Sequence, residues 1–483
     1  MKTKTKLLLP LLFFAALLLV PALTLYGLVE SPSGWSVEEN RALADVPEGS
    51  LQSMLDGTLV QNLETFYSDH IFARRQLLKL DTLLQMKLLH RPAVHDVVLG
   101  DTVLLPAPGF SAKLSGEARE AQAVSIAEGL QSVKSAADEV GAQLLYTLVP
   151  EQRTVYAAYY PDWMENPALE TKKNRDALLS ALQEAGIPAF DMTGVFAALE
   201  DPIPYYSRVD HHYTLRGAYL TYQTVCEAFG LRASELTVVD TDSALLGTYN
   251  RKLYGLSPVR EAMQVLQNEF PYHTREDNGK ASDVPLIQIR VSGQSLYTDY
   301  IGGDIGETIV RTNRPGLPKI LIVGDSFTNA LEPLAIFDFD EMRSLDYRHF
   351  DGAALSDYIR AYRPDYVLIL RQKSERLATT VADLFTLAKA TSGSEALAIE
   401  PLDLVMAVRQ TLGDMNDSIR HTGVPVKATM PESAIVQADS GKLYRVLQNI
   451  LDNALRYSLV GTRIYLEVSR GDIATRLTLT NTA

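Results

Sequence analysis

Two polar segments, far apart in the chain, carry side chains whose types and order suit nucleophilic catalysis. The first is Gly324-Asp325-Ser326, directly after the apolar run Lys319–Val323. A serine between a buried strand and a helix sits outside the carboxyl end of the strand, where open α/β sheets bind ligands. The helix start beside it offers backbone N–H groups to a developing oxyanion, and Gly324 permits a sharp turn and a close approach of substrate. Taken alone, Asp325 or Ser326 reads equally well as a helix cap. A serine hydroxyl needs a base, and the base needs a group that orients it. Asp210-His211-His212-Tyr213-Thr214 supplies both. In an extended stretch Asp210 and His212 face one side, about 6 to 7 Å apart along the backbone. The carboxylate then reaches one imidazole nitrogen while the other faces Ser326, and His211 points away. A metal pair is the competing reading; no third ligand stands at a suitable spacing, so no metal is expected.

The elements that must position these residues follow from periodicity. Val124, Ala127, Leu130, Val133, Ala137 and Val140 recur at helical spacing, with Gly141 as a stop. Gln143 to Val149 reads as a buried strand ended by Pro150. The pattern repeats with a helix over Lys172 to Ala185, a stop at Gly186, and a strand over Pro188 to Met192. Helix, glycine and buried strand, twice over, predict a parallel α/β sheet with flanking helices. Thr214 is placed to cap a helix running to about Phe229. Residues 240–315 read as loops and short strands that shape a cleft. A helix from Ser326 through about Ile336, another from Leu355 to Tyr362 and a strand from Asp365 to Leu370 complete the unit. Glu39-Asn40-Arg41 reads as a solvated cap ahead of a helix carrying Phe66 to His70.

The chain has 483 residues, enough for two or three domains with a large core. Its single cysteine, Cys226, excludes an internal disulfide and cysteine-based metal sites. A net charge of −14 argues against nucleic acid or an anionic membrane surface as the main partner. Lys2, Lys4 and Lys6 precede an uncharged run from Leu7 to Val29, followed by Glu30. As a helix that run is roughly 34 Å long, enough to cross a hydrocarbon core of about 30 Å. The lysines ahead of it predict a single-pass anchor with an amino end in the cytoplasm and the main domain outside.

With these residues in place a family resemblance can be stated. The Glu39-Asn40-Arg41 opening, the Ser68-Asp69-His70 segment, Asp210-His211-His212-Tyr213-Thr214 with Arg216-Gly217-Ala218, and Gly324-Asp325-Ser326-Phe327 resemble, in this order, the DHHW family of bacterial exported proteins. That family is similar to the alginate O-acetyltransferase group with SGNH-hydrolase-like domains. The resemblance covers roughly residues 30–370 and implies an SGNH/flavodoxin-like domain over 30–371. It also implies Ser326 as nucleophile, His212 as base, Asp210 as its orienter, and a cell-envelope polysaccharide as partner, without a cofactor. Tyr213 stands where the family has Trp, a change expected in packing rather than chemistry. Asn329 is a candidate oxyanion donor.

From Gln372 the texture changes. Gln372 to Ala390 reads as an amphipathic helix, Leu443 to Tyr457 as another, and Arg463 to Ser469 and Thr475 to Asn481 as strands. Asn449, Asn453 and Arg456 gather on the polar side of the second helix. This stretch resembles the N box of sensor histidine kinases, which implies a partial α/β-sandwich ATPase-like fragment over 372–483. ATP with Mg²⁺ is its cofactor only if it is functional, and no Asp-x-Gly-x-Gly segment follows. Three functions are therefore expected in order: an envelope esterase or acyltransferase, a non-catalytic carbohydrate-binding scaffold, and a signalling protein with an ATP-binding carboxy-terminal domain.

Overall fold

A computed structural model describes residues 18–24, 26, 34–39, 41–50, 53–54, 58–107, 115–164, 168–288, 294–371, 399–415, 419, 424–438, 440–457, 462–470 and 475–481. They fall into two compact units, Met1–Ala388 and Lys389–Ala483. Within the run Leu7–Val29, residues 18–24 and 26 are helical and the remainder lies outside the described residues. Among the described residues no helix is long and apolar enough to cross a membrane. The helix expected over Gln372 to Ala390 also lies outside them.

The larger unit includes, in chain order, helices α1 (Thr58–His70), α2 (Arg74–Lys87) and α3 (Gly116–Val140), strand β1 (Gln143–Leu148), α4 (Ala168–Glu184) and β2 (Ala189–Asp191). Gly141 and Gly186 end α3 and α4 at φ of 77° and 68°, the left-handed conformation that a helix stop requires. Next come α5 (Leu215–Ala228) and the short α6 (Thr248–Lys252). Strands β3 (Thr274–Asp277), β4 (Lys280–Ala281), β5 (Glu307–Arg311), β6 (Lys319–Val323) and β7 (Glu341–Leu345) precede α7 (Leu355–Tyr362) and β8 (Tyr366–Arg371).

Eight strands form one sheet in the order β4-β3-β5-β7-β6-β8-β1-β2. The five from β7 to β2 are parallel, as expected, but β5 pairs antiparallel with β7 and with β3. The sheet is therefore mixed. Short strands were expected within 240–315; three of them, β3, β4 and β5, extend this sheet, with β4 at its edge. Along β6 the side chains alternate between two cores. Ile320 and Ile322 join one cluster with Leu368 and Leu370, and Leu321 and Val323 join another with Val367 and Ile369. Both faces are covered, which is why this strand reads as a continuous apolar run. The two strands that follow β6 flank it, β7 on one side and β8 on the other. Its carboxyl end thus lies where the chain reverses direction across the sheet, the usual place for a crevice.

The smaller unit contains a two-stranded sheet, Glu400–Asp403 with Ile435–Ala438, and a three-stranded sheet of Val426–Thr429, Ile464–Arg470 and Thr475–Asn481. Helices α8 (Leu404–Asp414) and α9 (Ser440–Tyr457) accompany them. Leu447 and Leu451 of α9 pack with Val405 and Val408 of α8 and with Leu466 and Val468.

Candidate active site

Asp210, His212 and Ser326 come together in one hydrogen-bonded row. The Ser326 hydroxyl donates to His212 Nε2 across 2.8 Å, and His212 Nδ1–H donates to Asp210 Oδ1 across 2.6 Å. The histidine loop lies at the foot of α5. Thr214, as expected, caps that helix by accepting the Gly217 N–H at 3.2 Å. The loop itself is not extended. Tyr206 and Tyr213 pair antiparallel, the Ser207 N–H donates to the His212 carbonyl, and the chain between them folds back. In that bend Asp210 Oδ1 accepts from the His212 backbone N–H at 3.3 Å as well as from its ring. His211 does not point away: its Nδ1 lies 3.1 Å from Asp210 Oδ1, and its ring lies 3.8 Å from that of His212. A bend in place of a strand turns both imidazoles toward the carboxylate.

Several residues hold this loop that sequence reasoning missed. Gln152, just past the carboxyl end of β1, donates from Nε2 to the carbonyls of Ser207 (2.8 Å) and Asp210 (3.0 Å). The first N–H of α6, at Thr248, donates to Asp210 Oδ2 at 2.6 Å. Tyr297 lies flat on the His212 ring, at 3.8 Å and 4°, while Phe327 packs at 4.8 Å. The Tyr213 hydroxyl donates to the Phe327 carbonyl and so ties the histidine loop to the serine loop. A signal existed for Gln152, a polar residue at a strand's carboxyl end. None existed for Tyr297, whose role comes entirely from tertiary packing.

The electrostatics suit a base. Burial pushes the His212 imidazolium down to a pKa of about 4, reinforced by His211 and opposed by Asp210. The ring is thus neutral at pH 7, with its proton on Nδ1 and a lone pair toward Ser326. Burial pushes the Asp210 carboxyl up, but the charges and hydrogen bonds of His211 and His212 outweigh it, and the group is held well below the usual carboxylate range.

The serine side departs from expectation. In place of one helix to Ile336, a 3₁₀ turn (Thr328–Ala330) precedes a four-residue helix (Glu332–Ala335) with Pro333 in its first turn. Proline cannot continue the preceding ladder. The N–H groups of Phe327, Thr328 and Asn329 are taken by Asp325 Oδ1, the Asp325 carbonyl and the Ser326 carbonyl. They are therefore not the free helix-start donors that were expected. Asn329 donates its side-chain amide to Asp304 Oδ1 at 3.1 Å.

Among the described residues two clusters bring three metal-capable side chains together, Asp210-His211-His212 and Asp304-Asp346-His349. In the second, Arg348 lies 2.5 Å from Asp346 and 3.3 Å from Asp304, so a guanidinium already balances the acids. Glu39 and Arg41 are more than a solvated cap. Arg41 grips the buried Asp69 with two bonds of 2.6 and 2.7 Å, and Glu39 pairs with Arg74 at 2.7 Å. In the smaller unit, Asn449, Asn453 and Arg456 lie along α9, and their side chains are outside the described residues.

With the geometry in place, comparison with known proteins places the fold. Residues 110–284 match the family described as an SGNH hydrolase-like domain of the acetyltransferase AlgX. The domain is SGNH hydrolase-like. PatB1 of Bacillus cereus shares this SGNH-like fold, with a TM-score of 0.50 and 19% identity over 60% of this chain and 98% of that one. A DHHW family protein from Eubacterium siraeum DSM 15702 aligns with a TM-score of 0.47 and 18% identity over 61% of this chain and 96% of its own. A curated relative is of a different kind. The signal transduction histidine-protein kinase BaeS of Escherichia coli (strain K12) is 27% identical over 130 residues, which are 27% of this chain and 28% of BaeS. The chain thus spans little more than a quarter of that kinase.

Proposed function

We propose that the chain is an exported, membrane-anchored serine esterase or O-acyltransferase acting on a cell-envelope polysaccharide. The observation that carries this reading is the Ser326–His212–Asp210 row, assembled from loops 114 residues apart. The matching family, an acetyltransferase domain, supports it. As Ser326 Oγ bonds to the carbonyl carbon of an acyl ester, its proton passes to His212 Nε2. The imidazolium so formed is stabilised by the Asp210 carboxylate, which the Thr248 N–H holds while Gln152 holds the Asp210 backbone carbonyl. Collapse of the tetrahedral intermediate breaks the bond to the departing alcohol, which leaves with the proton from Nε2. An acyl-serine remains. A sugar hydroxyl or water then gives its proton to the same nitrogen and attacks the acyl carbon, and the serine is restored.

The amino-terminal run Leu7–Val29, with three lysines ahead of it, is read as the anchor that keeps this domain outside the cytoplasm. Residues 372–483 are read as a kinase-ATPase-like fragment outside the reaction, and ATP with Mg²⁺ belongs to the proposal only if that stretch binds it. The full chain is expected to release acetate from p-nitrophenyl acetate, and Ser326→Ala to lower kcat by about a thousandfold or more. Hydrolysis undiminished in Ser326→Ala would remove the site. No hydrolysis in the parent, with glycan binding intact, would leave a binding protein.

A further inference from the structure

Helix α2 shows water a face that globular proteins normally cover. Leu77, Leu80, Leu84 and Leu88, spaced three and four apart, form one stripe, and their exposures are 53%, 51%, 42% and 68%. The opposite side is the one that packs inward, through Thr82 and Met86. The preceding α1 adds exposed Val60, Leu63 and Tyr67, and the turn between the helices adds Phe72. An apolar surface of this extent marks a docking face.

Charge and continuity say what covers it. In a chain of net charge −14, residues 74–91 carry Arg74, Arg75, Lys79, Lys87 and Arg91 against the single acid Asp81. Arg74 and Arg75 are paired with Glu39 and Glu38, so among the described residues Lys79, Lys87 and Arg91, the last bonded to the Gln85 amide oxygen, are the cations of this stretch without an acidic partner. The face also adjoins the apolar amino-terminal run: the Phe72 N–H donates to Thr24 Oγ1 at 2.9 Å, and Thr24 is buried. At 14 residues, with charges of both signs, α2 is too short and too polar to span a bilayer. A leucine stripe with Lys87 along one edge, on a helix with more cations than acids, suits a helix lying in the lipid interface.

We infer that α2, with the turn at Phe72, lies on an anionic lipid surface, its leucine stripe among the acyl chains and Lys79 and Lys87 at the headgroups. The inference rests on the reading of Leu7–Val29 as membrane-bound, and it adds a second contact. One helix alone would leave the domain free to swivel; two contacts fix its tilt and the height of the serine site above the bilayer.

The test uses the full chain in vesicles of phosphatidylcholine with or without phosphatidylglycerol. Cys226 is buried, so an environment-sensitive NBD dye can be attached selectively at Leu84→Cys, with Leu169→Cys, an exposed leucine on α4, as control. With anionic vesicles the Leu84 dye is expected to shift to the blue, lose its quenching by iodide and gain quenching by doxyl lipids. The Leu169 dye is expected to change in none of these. Lys79→Glu combined with Lys87→Glu is expected to abolish the preference for phosphatidylglycerol. A Leu84 dye still quenched by iodide while the chain pellets with vesicles overturns the inference and leaves the anchor standing. Protection that grows with protein concentration in the absence of vesicles assigns the face to a second copy and also overturns it. Failure to pellet at all removes anchor and inference together, while ester hydrolysis in the same sample reports independently on Ser326.

Discussion

His212 is held on every side: Tyr297 flat on one face, His211 and Phe327 packed obliquely, Asp210 on Nδ1 and Ser326 on Nε2. Burial is the largest influence on its proton, and the pKa of about 4 has a kinetic consequence. A lowered folded pKa means that the neutral, base-competent ring persists as pH falls, until about 4. The acid limb of kcat/KM for ester hydrolysis is thus expected near pH 4, whereas an unperturbed histidine would place it near 6.5. A limb at 6.5 in a pH–rate profile would contradict the burial described here. At this scale the sequence revealed what local spacing can reveal. Asp210, His212 and Ser326 were legible because a carboxylate two residues from an imidazole, and a Gly-Asp-Ser after an apolar run, are local patterns. Of the partners that fix them only Gln152 carried a signal; Thr248 and Tyr297 come from other segments and meet the loop only through the tertiary fold.

Among the elements, α6 shows how a short helix serves the site. Its first N–H holds Asp210, its second, at Tyr249, holds the Val209 carbonyl, and Gly247 before them lets that carbonyl approach. A Cβ at Gly247 would stand 2.2 Å from the Val209 oxygen. Gly247→Ala is expected to cost about 1–3 kcal/mol of stability through overpacking. By displacing Thr248 it is also expected to lower kcat by about a hundredfold. Gly316→Ala, with nothing within 4 Å of the added Cβ, serves as control. Denaturant unfolding and turnover together check this, and unchanged kcat in the folded variant would contradict it. The helices and parallel strands were legible from apolar periodicity and glycine stops. The antiparallel strands were not: β3 reads Thr-Arg-Glu-Asp, whose order comes from pairing with β5 and carries no hydrophobic alternation. Pro333 was the unread sign that the helix after Ser326 would be broken.

At the scale of the molecule, two units share one chain, and the larger contains both tryptophans, Trp35 and Trp163. Its stability carries a pH signature from Glu261. Burial pushes that carboxyl up to about 7, against hydrogen bonds from the Arg208 N–H and the Ser207 hydroxyl. A raised folded pKa means that the native state holds its proton more tightly than the unfolded chain. The contribution is full below about pH 4.5 and is lost as pH rises through about 7, amounting to about 3 kcal/mol. The stability difference between the parent and Glu261→Gln, followed by tryptophan fluorescence, is expected to change by that order between pH 4.5 and 8. A constant difference would contradict it. The proposed chemistry turns on Ser326 acting as the nucleophile activated by His212. Treating the full chain with phenylmethylsulfonyl fluoride and mapping the adduct by peptide mass spectrometry tests it most directly. One sulfonyl group on Ser326, absent from His212→Ala, is the predicted result; an unmodified Ser326 alongside inactivation, or an adduct elsewhere in the chain, would contradict it.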